Sequence, residues 1–87
     1  MIKSLKTGWL THGQNNVIFE QNFSRLIGCK YSVAMNSCTS ALECSLKILK
    51  KKGEVILPSW TWVATANAIL NTGNIPVFAD VDVNSRN

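Results

Sequence analysis

Charge is scarce in this chain. Asp, Glu, Lys and Arg make up 16% of its 87 residues, well below the share of about a quarter usual in globular proteins. So little charge implies segments buried on more than one side, as in a layered α/β protein. Histidine is nearly absent: His12 stands alone and reads as a surface residue, so no metal cluster can be assembled in the usual way. The three cysteines, Cys29, Cys38 and Cys44, are odd in number and form no C-x-x-C pair, which excludes a disulfide framework and a zinc site. No apolar run approaches the roughly 20 residues that span a bilayer. No charged start leads into an apolar stretch as in a secretory leader. The expectation is a reduced, cytoplasmic chain with no membrane contact. Nine basic against five acidic residues give a net charge of +4. The one basic run, Lys50-Lys51-Lys52, is expected to end a helix, where cations favour the negative end of the dipole. It belongs to no wider stripe, so no nucleic-acid surface is expected.

What the sequence does contain is an alternation of short β-branched runs with helical periods. Residues 1–13 read as an extended arm with turns at Gly8 and Gly13. A helix capped by Asn15 or Asn16 runs to Ile27, with Gly28 as its C′ residue. Tyr31–Met35 reads as a strand. A helix follows over 40–52, with Leu42, Leu46 and Leu49 on one face, a Glu43–Lys47 pair at i,i+4 and Gly53 as its stop. Val55–Leu57 is a short strand closed by Pro58, which has no N–H for a ladder. Residues 61–71 are nearly all apolar or small and read as a buried helix capped by Ser59 or Thr61, with Thr72-Gly73-Asn74 as its exit. Residues 76–81 form a further strand, and Asp80 and Asp82 at its end fit turn chemistry better than paired catalytic carboxylates. Strands alternating with helices predict a three-layer α/β fold, a sheet with helices on both faces. Eighty-seven residues allow at most one small domain. Three short strands and three helices would leave sheet edges and apolar faces uncovered, so the expectation is the opening section of a longer enzyme.

One junction bears on chemistry. Asn36-Ser37-Cys38-Thr39-Ser40-Ala41-Leu42 joins the run at 31–35 to a helix through small hydroxyl residues. Free backbone N–H groups at such a helix start, with the positive end of the dipole, suit a phosphate or carboxylate. Ser40 and Glu43 also have the S-x-x-E spacing of a capping box, which would satisfy those groups internally. Spacing alone leaves both readings open.

The wider motif order is specific. Gly8-Trp9-Leu10-Thr11-x-Gly13, Phe19-Glu20-x-x-Phe23 and Gly28 come first, followed by Asn36-Ser37-x-Thr39-x-Ala41-Leu42. Glu54-Val55-Ile56-x-Pro58-Ser59, Thr61-Trp62-Val63-Ala64-Thr65-Ala66-Asn67 and Pro76-Val77-Phe78-x-Asp80-Val81-Asp82 complete the series. From about Leu5 to Asn87 this resembles the start of the DegT/DnrJ/EryC1/StrS family, pyridoxal-phosphate-dependent aminotransferases acting on nucleotide-linked keto-sugars.

The resemblance implies the N-terminal part of a fold-type-I transferase large domain. Residues 1–28 would be an arm and first helix, and 29–87 the first, incomplete βαβαβ part of the cofactor-binding domain. It implies that Ser37, Cys38 and Thr39 hold the phosphate of pyridoxal 5′-phosphate, chiefly through backbone N–H groups and the Thr39 hydroxyl. Cys38 departs from the family's usual Gly or Ala; a thiol is small enough for close backbone approach and reads as a buried small hydrophobe. Trp62 would stack on the pyridine face, as a flat indole suits, while Trp60 reads as packing. The arm around Trp9 resembles the segment near the substrate mouth of the family's homodimers, and packing of the arm on its own domain fits the residues as well. The implied reaction moves an amino group, with glutamate as donor, onto the keto-sugar. A dehydratase of the same family and a non-catalytic truncated remnant are the alternatives. The covalent chemistry of this cofactor needs a lysine, and no lysine of this chain matches the family's, so no catalytic residue is named and the chain alone is expected to be inactive.

Overall fold

The computed structural model describes residues 2–9 and 11–85; Met1, Leu10, Arg86 and Asn87, including Leu10 of the arm motif, lie outside the described residues. The chain divides into two compact units, residues 1–34 and 35–87.

The first unit holds helices α1 (Ile2–Lys6) and α2 (Gln14–Ile27). The arm is therefore not extended throughout. Its first residues close one helical turn, continued by the N–H of Thr7 donating to the Lys3 carbonyl at 3.2 Å, and Thr7 Oγ1 donates to the Ser4 carbonyl at 2.8 Å. The start of α2 also differs from expectation. Gly13 is its N-cap, with no side-chain cap bond. The two asparagines are spent elsewhere: Asn15 Nδ2 donates to Ser4 Oγ at 2.6 Å, and Asn16 Nδ2 lies 3.3 Å from His12 Nδ1. On α2 the rings of Phe19 and Phe23, four residues apart, meet at 5.9 Å between centroids.

The exit from α2 is as expected. Gly28 sits at φ +75°, its N–H donates to Arg25 O, and the Cys29 N–H reaches back to Ser24 O at 3.0 Å, which is the Schellman arrangement. Gly28→Ala is expected to cost about 1–2 kcal/mol, the penalty of a Cβ in the left-handed region. Gly28→Asn should cost less, and the two melting temperatures check this.

Residues 31–35 form no strand or helix among the described residues, contrary to the expected strand. A β-branched run becomes a strand only where a neighbour accepts its backbone groups. Here α2 supplies partners: Glu20 Oε1 accepts the Ala34 N–H at 2.8 Å, and the Ser32 hydroxyl donates to the Glu20 carbonyl.

The second unit holds α3 (Cys38–Ile48), β1 (Glu54–Pro58), α4 (Val63–Asn71) and β2 (Ile75–Ala79). β1 and β2 pair in parallel, from Glu54↔Ile75 to Pro58↔Ala79. A parallel pair cannot be joined by a hairpin, and α4 is the crossover, packed on both strands, while α3 packs on α4. The core is Leu57 of β1 with Ala68 and Ile69 of α4, and Ala68 is fully buried. Burial of Leu57 and Ile69 contributes about 1.5–3 kcal/mol each. The alternation along β1 is strict: Val55 and Leu57 are covered, whereas Ile56 between them is 73% exposed.

A buried polar clamp closes this unit. The Thr72 hydroxyl donates to the Ala68 and Ile69 carbonyls at 2.9 and 2.8 Å. Asn74 Nδ2 donates to Thr72 Oγ1 at 2.9 Å, and Asn74 Oδ1 accepts the Gly53 N–H at 3.1 Å. Lys52 Nζ donates to the Thr72 carbonyl. The lysine run thus follows the helix instead of ending it: α3 stops at Ile48, Leu49 is the C-cap and Lys50 is left-handed at φ +52°. The anticipated Glu43–Lys47 pair is present at 4.0 Å, and Glu43 Oε1 also accepts from Asn71 Nδ2 at 2.8 Å, tying α3 to α4.

After β2 the two aspartates serve turns. Asp80 Oδ1 accepts the Val81 N–H at 2.9 Å, and Asp82 Oδ1 accepts from the N–H groups of Ser85 at 2.7 Å and Asn84 at 3.0 Å. The Ser85 backbone N–H, then the Ser85 side chain and the Asn84 N–H, hold the Asp82 carboxyl below its ordinary value of 3.8. A depressed folded-state value favours the turn above the ordinary value and releases it as pH falls through the lower one. In an NMR titration the Asn84 and Ser85 amide shifts should therefore move with a midpoint below 3.8; a midpoint at or above that value would contradict the turn.

Candidate functional site

The junction expected to bind an anion is the start of α3, and its capping differs from the S-x-x-E reading. Ser37, extended at φ −157°, is the N-cap, and its Oγ accepts the Ser40 N–H at 3.1 Å. The Ser37 hydroxyl also lies 2.9 Å from Ser40 Oγ as donor. Glu43 does not reach back to Ser40, because its carboxylate is engaged by Lys47 and Asn71. Moving the cap three residues towards the N-terminus brings Cys38 and Thr39 inside the first turn, where their backbone N–H groups have no intrahelical acceptor.

The cap satisfies one of the orphan donors of the turn. Among the described residues no hydrogen bond engages the N–H of Cys38 or of Thr39. Cys38 is exposed, not the buried small hydrophobe expected of it, and Thr39 is half-buried. Two free N–H groups, a hydroxyl, small side chains and the positive end of an 11-residue helix make a donor set that fits a phosphate dianion. The phosphate end of pyridoxal phosphate fits these residues.

Trp62 is the N-cap of α4. Neither Ser59 nor Thr61 caps that helix: the Trp62 carbonyl takes the Thr65 N–H at 2.9 Å, and Thr61 Oγ1 lies 3.3 Å from Thr65 Oγ1. Trp62 is 79% exposed. It stands just past the carboxyl end of β1, the end at which open α/β sheets bind ligands. Among the described residues no hydrogen bond or ring contact joins Trp62 to Ser37, Cys38 or Thr39.

In the first unit, Trp9 Nε1 donates to the His12 carbonyl at 2.9 Å, and a Cβ on Gly13 would stand 2.8 Å from Trp9 Cδ1, so only glycine lets the indole lie there. Beside it is an open cavity of about 920 Å³ lined by Lys3, Ser4, Thr7, Trp9, His12 and the start of α2. Sequence reasoning missed Ser40 as the partner of Ser37; the S-x-x-S spacing one turn earlier was the available signal. No group of three or more His, Cys, Asp or Glu able to hold a metal occurs among the described residues, and no described helix is long and apolar enough to cross a membrane.

Known proteins resemble this chain in sequence and fold. The chain is 44% identical over 87 residues to the spore coat polysaccharide biosynthesis protein SpsC of Bacillus subtilis, covering 98% of this chain and 22% of that protein. Its fold matches a Streptococcus pneumoniae protein described as a sugar aminotransferase, Spr1654, in its PLP-form, with a TM-score of 0.89 and 31% identity over 98% of this chain and 22% of the other. It also matches the Escherichia coli GDP-4-keto-6-deoxy-D-mannose-3-dehydratase with bound hydrated PLP, with a TM-score of 0.78 and 26% identity over 94% of this chain and 23% of that one. The chain thus spans between a fifth and a quarter of the length of these relatives. The model of the DegT/DnrJ/EryC1/StrS aminotransferase family matches residues 1–87, and the chain belongs to that family.

Proposed function

We propose that this chain is the opening section of a pyridoxal-phosphate-dependent aminotransferase that moves an amino group from glutamate onto a nucleotide-linked keto-sugar for polysaccharide or secondary-metabolite glycans. The observation that carries this reading is the pair of free N–H groups at Cys38 and Thr39, beside the Thr39 hydroxyl, in a chain of this family. In this reading residues 1–28 are the arm and first helix, and residues 29–87 begin a three-layer cofactor domain of a cytoplasmic homodimer.

When bound, pyridoxal phosphate supplies an electron sink for breaking bonds at the amino-bearing carbon. The chain's own residues bind and orient it. Ser37 closes the helix start; the N–H groups of Cys38 and Thr39 and the Thr39 hydroxyl would hold the phosphate, and the exposed Trp62 indole would offer the ring an apolar face. The lysine that moves the proton is assigned to no residue of this chain.

Sugar dehydration is the second reading, favoured by the dehydratase among the structural relatives. The test uses the longest polypeptide encoded in frame with this segment, loaded with pyridoxal phosphate and given 15N-glutamate and a nucleotide-linked keto-sugar. Label in the sugar product supports amino transfer. Loss of a hydroxyl without label supports dehydration, and an unchanged sugar overturns both. The 87-residue chain by itself should turn over neither substrate.

A further inference from the structure

We draw no further inference here: the strongest candidate, the open cavity between α1 and the start of α2 beside Lys3, Trp9 and His12, draws its anion-attracting character from a helix N-terminus that no second observation of a ligand supports.

Discussion

Asn74→Ala is expected to lower the unfolding free energy by about 2–4 kcal/mol, because it strips a buried acceptor from the Gly53 N–H and a buried donor from Thr72 Oγ1. Each group left unpaired costs about 1–3 kcal/mol, more than a made bond is worth. Native proteins are stable by about 5–15 kcal/mol in total, so a loss of that size from one amide is large. At a urea slope of about 1–1.5 kcal/mol per molar, the midpoint should fall by about 2 M. Asn71→Ala is the control. That side chain reaches Glu43 at the exposed surface, and its loss should stay within about 0.5 kcal/mol. Equal effects for the two variants would mean that the clamp carries nothing special. Thr72→Val combined with Asn74→Ala should cost less than the sum of the two, since both break the same contact.

The second large effect concerns the helix start. In the holoenzyme of the proposed reading, Thr39→Val should raise the dissociation constant for pyridoxal phosphate by roughly 10–100-fold. That range follows from about 1.5–3 kcal/mol for a hydrogen bond to a charged group, at 1.4 kcal/mol per tenfold. Valine keeps the shape and removes only the hydroxyl. Cys38→Ala should change retention by less than about threefold, because a backbone N–H is the donor there and alanine leaves it in place. Cofactor absorbance after dialysis reads both. A large loss with Cys38→Ala and none with Thr39→Val would reverse the assignment, placing the thiol and not the hydroxyl on the phosphate.

Elements that carry their own periodicity were the legible part of this fold. The helix within 61–71, the strand at 55–57 and the glycine stop at 28 could be read because apolar spacing and left-handed exits are local properties, although only Ala68 and Ile69 of that helix are buried, not the whole of it as its composition suggested. Caps were not, because several residues in a row had the right chemistry. Ser37 and Ser40 compete for the same turn, and the outcome depends on Glu43, which binds Asn71 from another helix 28 residues away. Asn15 and Asn16 were plausible caps, yet Ser4 and His12 take their amides. Residues 31–35 have the composition of a strand and lack only a neighbour to pair with, which no local reading supplies. At the candidate site the residue types were visible. Which N–H groups stay free became visible only once the cap was placed.

The clamp that joins Gly53 to Asn74 and Lys52 to Thr72 spans 21 and 20 residues, and the ladder keeps the offset of 21 residues along its whole length. Every long-range link between β1 and β2 is therefore the closure of one loop of nearly constant size. Lengthening that loop twofold would cost only about 0.6 kcal/mol more, but holding it short keeps the contact order low and the search brief. On a ribosome the β1–α4–β2 unit can close as soon as β2 clears the exit tunnel.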